Sequence, residues 1–295
     1  MPTLASLQNL RYSFLLASSR AGLLQHFNFD IRKKLKGKSF VLPISDGIGY
    51  QNLVSTEPWA TELYKKILSN FEGSFIDVGV NNGQTILKIA SINPKQSYIG
   101  FEPNPVCYNY SRKLIKKNKL SSFSLIPVGL HCENKIVELY HDTEFASGAS
   151  MLSNFRVKKE RYNQVQNVSV MVGDAVLEEK NVSAISIIKA DVEGVELEVM
   201  MGLRQSLLKF QPAVILEILP VYNTTTENGQ FRKERQDRLI ELMASINYKM
   251  MLVNEKEGTL TKLDTIEVHG DMSKTNYLFV HKNKLPRLQT LFQIQ

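Results

Sequence analysis

The sequence contains little cysteine and no long apolar run. Its two cysteines, Cys107 and Cys132, have neither a pairing pattern nor a metal-ligand spacing among 295 residues, which excludes a disulfide framework and predicts reduced thiols. No apolar stretch approaches the roughly 18 residues that a membrane-spanning helix needs. No early basic segment leads into an apolar run with a cleavage site. We therefore expect a cytoplasmic protein without a transmembrane segment.

Long basic blocks are also missing. The net charge is +7, but lysines and arginines are scattered along the chain, and no block of them has interleaved aromatic residues. This distribution argues against a nucleic-acid partner. A positive net charge of this kind would favour an anionic small-molecule acceptor.

The chain also lacks the G-x-G-x-x-G fingerprint that holds a pyrophosphate, which argues against an oxidoreductase with a nucleotide cofactor. A different glycine-containing segment, FIDVGVNNGQ at residues 75–84, is present instead of that fingerprint. An apolar strand ends here in Asp77, a turn with Gly79, Asn81 and Gly83 follows, and helical spacing then begins. Glycine lets the backbone approach a ligand closely. An acid at the first position suits a ligand with an ammonium group and no phosphate, such as S-adenosylmethionine.

A second apolar strand, residues 98–102, ends in Glu102. In α/β nucleoside sites an acid about 20 residues beyond the glycine turn binds the ribose hydroxyls, and Glu102 lies at that distance. The run Pro103-Asn104-Pro105 then interrupts the strand before the next helix. We expect Glu102 to bind the ribose of the cofactor.

Together with FIDVGVNNG, the motifs FEPNP at residues 101–105 and IKADVEGVE at residues 188–196 resemble the FkbM family of S-adenosylmethionine-dependent methyltransferases. The resemblance extends from about Lys38 to His281. It implies an O-methyltransferase with a Rossmann-like fold, acting on a hydroxyl of a sugar, a glycan or a related metabolite. The expected cofactor contacts are Asp77, Gly79, Asn81, Gly83, Glu102 and Asn104, with Val128 and Gly129, placed by position alone, against the adenine.

Three acids follow predicted strands in the second half of the chain. Asp191 and Glu193 lie at the carboxyl end of one strand, and Glu217 ends the next. Ligands of open parallel sheets bind at this edge, so we assign all three acids to catalysis. Asp191 is the first choice as general base; alternatively, Asp191 and Glu217 bind a divalent metal such as Mg²⁺. Glu193 is equally explained by a favourable position at a helix N-terminus.

Substrate contacts are predicted from loops. The segment 146–153, rich in serine and glycine, supplies Ser147 and Ser150 as part of an active-site loop, or else is the tip of a hairpin. The neighbouring basic run 155–162 would steer an anionic acceptor or form a solvated helix face. His269 contributes to the site or is an exposed loop histidine.

Alternating strands and helices predict an α/β fold, a Rossmann-like doubly wound sheet with an antiparallel edge strand. We divide the chain into an N-terminal helical extension, 1–37, and a methyltransferase domain, 38–295. Within the extension an amphipathic helix over 3–29 would pack on the domain, on a partner in a homo-oligomer, or on a membrane surface. Residues 31–38 are predicted to form a charged linker. A catalytically inactive protein of the same fold, serving as a scaffold, is the competing function.

Overall fold

The computed structural model describes residues 4–54, 56–141, 149–152 and 164–292. The helices are α1 (Leu4–Arg20), α2 (Pro58–Leu68), α3 (Gln84–Ile92), α4 (Pro105–Lys117), α5 (Gly173–Glu179), α6 (Glu196–Gly202), α7 (Arg204–Phe210), α8 (Glu227–Ser245) and α9 (Leu285–Phe292). The strands are β1 (Phe29–Leu35), β2 (Lys38–Ile44), β3 (Ser74–Val78), β4 (Tyr98–Phe101), β5 (Phe123–Ile126), β6 (Gly129–His131), β7 (Lys135–His141), β8 (Gln164–Val172), β9 (Ile185–Ala190), β10 (Ala213–Glu217), β11 (Tyr248–Asn254), β12 (Thr259–Leu263) and β13 (Asn276–His281).

Eight strands form the central sheet, in the order β12-β11-β13-β10-β9-β3-β4-β5. The neighbours from β10 to β5 pair in parallel. β13 lies antiparallel between β10 and β11, and β12 is an antiparallel edge strand beside β11. The predicted fold class is therefore confirmed. A smaller sheet, β6-β8-β7, lies beside it.

The sheet separates two hydrophobic cores because its strands are apolar on both faces. On one face, side chains of α1 to α4 and α9 pack around Trp59, Tyr64 and Phe75. On the other face, side chains of α5 to α8 pack around Val199, Met200 and Met243. Helices on both faces make the sheet doubly wound and leave the carboxyl ends of its parallel strands open at one edge.

The predicted linker over residues 31–38 is wrong, because β1 pairs with β2 along its whole length in an antiparallel hairpin. The alternation of charged and apolar residues in FDIRKKL is a strand pattern: Lys33 is buried while Lys34 is exposed. α1 ends at Arg20, short of the predicted end at residue 29. Leu15 of this helix is buried, whereas Leu10 and Phe14 are exposed. The domain division and a homo-oligomer formed through this helix remain predictions.

In the described ranges no helix combines the length and the apolar character that crossing a membrane requires. After β9 the chain forms two short helices, α6 and α7, that meet at Leu203.

Candidate active site

Three neighbouring strands bring charged side chains to one place at the carboxyl edge of the sheet. Asp77 of β3 lies beside Lys189 of β9 in the strand register, and Lys189 lies beside Ile215 of β10, two residues before Glu217. Side chains alternate along a strand, so Asp77, Lys189 and Glu217 emerge on the same face of the sheet. Asp191 follows directly after β9.

Lys189 is the centre of this cluster. Its ammonium lies 3.2 Å from Asp191 Oδ2 and 3.8 Å from Asp77 Oδ1. Burial by itself would lower the pKa of Lys189, but the charges of Asp191 and Asp77 raise it above its usual range. Lys189 is therefore a permanent cation between two acids. Sequence reasoning assigned it no role, although a lysine inside an apolar strand and two residues before an acid was a usable signal.

Asp191 and Glu217 form a carboxylate–carboxylic acid pair joined by a hydrogen bond. Burial would raise the pKa of Asp191, yet Lys189 and the hydrogen bond from Glu217 hold it below its usual range. Burial, reinforced by the negative charge of Asp191, raises the pKa of Glu217 to about 9. At neutral pH, Asp191 is therefore ionised and Glu217 carries the proton that it donates to Asp191.

The loop between β9 and α6 is fixed from two sides. Glu196 accepts hydrogen bonds from the backbone N–H groups of Gly194, at 3.1 Å, and Val192, at 3.4 Å. Arg235 of α8 donates to the Gly194 carbonyl at 2.9 Å and pairs with Glu198. The sequence analysis missed both Glu196 and Arg235. Glu193 lies in this loop with a positive φ of 53°, so the loop geometry, in addition to the helix dipole, determines its position.

The turn between β3 and α3 requires its two glycines for a reason that differs from the predicted one. A Cβ at Gly79, where φ is +86°, would lie 2.2 Å from the backbone oxygen of Asp191, and one at Gly83 would lie 2.8 Å from Leu114. The glycines therefore allow the turn to pack against β9 and α4, rather than only leaving space for a ligand. Asn81 has a positive φ of 51°, which asparagine tolerates.

Glu102 joins the glycine turn to the start of α4. One carboxylate oxygen accepts from the N–H of Asn81 at 2.6 Å and the other from the N–H of Asn104 at 2.9 Å. Asn104 is the N-cap of α4, where its side chain accepts from Val106 N. Burial raises the pKa of Glu102 to about 7, although the two backbone bonds act in the opposite direction. Each oxygen keeps a second lone pair with which it can accept from a ligand hydroxyl.

A cleft lies beside these residues and brings half of the predicted site residues together. It has a volume of about 70 Å³ in the described structure. Predicted residues that line it are Gly79, Asn81, Glu102, Asn104, Gly129, Asp191 and Glu193, beside the apolar side chains of Phe101, Pro103, Leu130 and Met151. Met151 packs directly against Gly129, since a Cβ there would lie 2.5 Å from its Cε. A nucleoside against Gly129 therefore requires Met151, a flexible side chain, to shift.

Other predicted residues lie elsewhere. Asp77 is fully buried and accepts from the Tyr98 hydroxyl at 2.5 Å, so its position is beneath the cleft rather than in its lining. Ser150 is also buried, and its hydroxyl donates to the Glu193 carbonyl at 2.7 Å. His269 and Val128 do not line the cleft. Ser147 and the basic run 155–162 lie outside the described residues. Cofactor and substrate roles for these residues remain predictions.

The metal hypothesis does not fit the side chains. Within residues 4–54, 56–141, 149–152 and 164–292, no group of three or more histidine, cysteine, aspartate or glutamate side chains could hold a metal ion. The ammonium of Lys189, 3.2 Å from Asp191 Oδ2, already compensates the charge of this carboxylate. We therefore do not assign a metal to this site.

Residues 77–250, more than half of the chain, match the Methyltransferase FkbM domain. The chain therefore belongs to the FkbM methyltransferase family, as the motifs suggested. A curated relative, "Methyltransferase sdnD" of Sordaria araneosa, is 25% identical over 167 residues, which cover 48% of this chain and 64% of that protein. The match thus spans less than two thirds of this relative.

Two solved structures are similar to the chain at low identity. Methyltransferase FkbM from Methylobacillus flagellatus KT has a TM-score of 0.43 and 14% identity, covering 70% of this chain and 43% of that one. An O-methyltransferase from Bacillus cereus in complex with SAH has a TM-score of 0.45 and 11% identity, covering 96% of this chain and 93% of that one.

The position of Gly79 leads to a first prediction. Gly79→Ala should destabilise the protein by about 1–3 kcal/mol more than Gly37→Ala, because only the first adds an overpacking contact. Gly37 is the matched control: its φ is +81°, and nothing lies within 4 Å of an added Cβ. Both variants share the left-handed backbone strain, about 1–2 kcal/mol. Urea unfolding of the two variants measures the difference; equal free energies of unfolding would contradict the contact with Asp191.

The raised pKa of Glu217 leads to a second prediction. A carboxyl group with a pKa near 9 when folded and about 4.3 when unfolded binds more protons in the native state, so stability falls as pH rises between these values. Glu217→Gln keeps a hydrogen-bond donor but cannot ionise, so it does not lose stability in this way as the pH rises. Its melting temperature relative to wild type should therefore rise from pH 5 to pH 9. The exposed Glu241→Gln variant is the control, and a parallel response of both variants would count against a protonated Glu217.

Proposed function

We propose that this protein is an S-adenosylmethionine-dependent O-methyltransferase that methylates a hydroxyl of a sugar, a glycan or a related small molecule. The single observation that carries the proposal is the position of Asp191, which lines the cleft with its carboxylate 3.2 Å from the buried ammonium of Lys189. Membership in the FkbM family supports the reaction class. The class of acceptor is proposed from the resemblance of the sequence motifs to those of this family.

The residues of the cleft suit parts of the cofactor. The volume of the cleft, about 70 Å³, lies below the roughly 300–1,000 Å³ of small-molecule sites, so the cleft must open to admit the whole molecule. Glu102 offers free carboxylate lone pairs to ribose hydroxyls. Phe101, Pro103 and Leu130 offer apolar surface to the adenine, once Met151 shifts away from Gly129. The acids around the cleft favour a ligand that carries positive charge on its sulfonium and ammonium groups. The bound cofactor would supply an electrophilic methyl group with a neutral leaving group.

In this proposal Asp191 acts on the acceptor hydroxyl. With the cofactor bound, Asp191 would take the proton of the hydroxyl as the methyl group moves from sulfur to the acceptor oxygen. Lys189 and Glu217 keep Asp191 ionised before transfer, so the base is ready in the correct protonation state. A carboxylate held at low pKa is a weak base, and alignment of the three reacting atoms therefore supplies a large part of the rate.

Glu102→Ala should weaken S-adenosylmethionine binding by about 1.5–3 kcal/mol, the range for hydrogen bonds to a charged group. Because the pKa of Glu102 is about 7, the affinity of the wild type should also rise from pH 6 to pH 8 as the carboxylate ionises. Isothermal titration calorimetry at both pH values tests this, with Glu138→Ala, which lies outside the cleft, as the control. Unchanged affinity in Glu102→Ala would refute the ribose contact.

Asp191→Asn should bind the cofactor nearly as wild type does but transfer the methyl group about 10²–10⁴-fold more slowly, the contribution of a general base. The measurement is transfer of an isotopically labelled methyl group to a panel of glycosides, with calorimetry as the binding control. Full turnover of Asp191→Asn on an acceptor that the wild type methylates would remove Asp191 from the mechanism. No binding of the cofactor by the wild type would instead favour the inactive scaffold.

A further inference from the structure

A second and larger cavity lies on the α2 and α3 side of the sheet. This groove has a volume of about 690 Å³, within the range of about 300–1,000 Å³ that small-molecule sites occupy. The β1–β2 hairpin, α2, α3 and the turn between β11 and β12 form its walls. Six lysines and three glutamates line it, so the groove is positively charged.

Lys33 is the unusual cation of the groove. It is buried, with 4% of its surface exposed, and its ammonium donates to the Asn52 carbonyl at 2.9 Å. Lys36 and Lys88 pair with Glu62 and Glu57, whereas Lys33 has no carboxylate partner in the described part of the chain. Burial without a compensating charge lowers the pKa of Lys33 to about 8. A buried ammonium of this kind is stabilised by an anion.

Two further residues of the groove carry polar atoms that lack partners. Trp59 Nε1 and Asn52 Oδ1 are buried and have no hydrogen-bond partner among the described residues. Both side chains line the groove and are more than nine-tenths buried. An unpaired donor and an unpaired acceptor beside a buried cation are costly. Small side-chain shifts would let a ligand with hydroxyl groups satisfy both.

The groove adjoins the glycine turn of the candidate active site, although Asp77, Lys189 and Asp191 do not line it. Asn52 Nδ2 donates to the Asn82 carbonyl in the glycine turn at 2.7 Å. Gln84, the first residue of α3, lines the groove and accepts from the Thr56 hydroxyl at 2.5 Å. Lys88, also in the lining, is close enough to contribute to the low pKa of Asp191. Asp77 and Lys189 emerge on the same face of the sheet as the groove, with Tyr64 packed between α2 and the sheet.

We propose that this groove is the acceptor site and that the acceptor is a hydroxyl-bearing organic anion, whose carboxylate or phosphate group is held by Lys33. The assignment rests on the proposed methyl transfer, because an acceptor site has a meaning only for a protein that transfers a methyl group. Trp59 and Asn52 would bind hydroxyl groups of the acceptor.

Trp59 is the single tryptophan of the chain, so its fluorescence reports directly on the groove. We expect glucuronate, glucose 6-phosphate or both to change this fluorescence saturably, and glucose, their neutral counterpart, to have at least roughly tenfold weaker affinity, as for loss of an interaction with a charged group. The two anions distinguish a carboxylate from a phosphate ligand. Lys33→Met should reduce the anion affinity by the same factor, whereas Lys116→Met, an exposed lysine of α4 outside the groove, should not.

The outcomes separate this inference from the proposed function. If neither anion alters the fluorescence of Trp59, or if glucose binds as well as both, the groove does not select anions and the inference is wrong. If Lys33→Met fails to fold, as thermal melting would reveal, the comparison between the anions and glucose in the wild type still decides. Calorimetry with S-adenosylmethionine is run on the same samples. If the cofactor binds but neither anion changes the fluorescence, only the assignment of the groove is wrong. If an anion changes the fluorescence but the cofactor does not bind, the proposed methyl transfer is wrong.

Discussion

The buried ammonium of Lys189 is the interaction on which the site depends. It lies between Asp77, which is sealed inside the protein, and Asp191, whose side chain is 37% exposed. A buried charge without a partner is destabilising by several kcal/mol, so Lys189 requires an acidic partner beside it. This arrangement also couples stability to chemistry, because the same ammonium that compensates Asp77 keeps Asp191 ionised. The carboxyl of Glu217 then completes the cluster by holding a proton.

The features that could be predicted from the sequence were those that depend on residues close together in the chain. Apolar runs gave the strands of the parallel sheet, the glycines at 79 and 83 gave the turn, and the acids after each run gave the edge at which the site forms. These predictions succeed because parallel strands place their carboxyl ends together. Glu102 and Asp191 thus reach one cleft although their segments are far apart in the chain.

The features that sequence reasoning missed depend on contacts between distant segments. Nothing around Gly79 indicates that its nearest neighbour is the Asp191 carbonyl. Arg235 reaches the Gly194 carbonyl from α8, and a polar-faced helix does not reveal which arginine points inward. The charged stretch around Lys33 was interpreted as a linker, because burial of a lysine in a hairpin depends on a distant segment, here the one around Asn52, packing against it. The pattern of apolar and polar residues determines local structure, whereas the roles of Gly79, Arg235 and Lys33 depend on the distant segments that pack against them.

The distance along the chain between Asp77 and Lys189 has a consequence for synthesis on the ribosome. Asp77, the glycine turn and Glu102 emerge first, and β3 can pair with β4 before β9 exists. Until β9 inserts beside β3, the carboxyl of Asp77 has no ammonium partner, and the central strand has an open edge that can pair with other chains. Long-range parallel pairing is slow. The nascent chain therefore has an interval in which a chaperone that covers strand edges would protect it from aggregation.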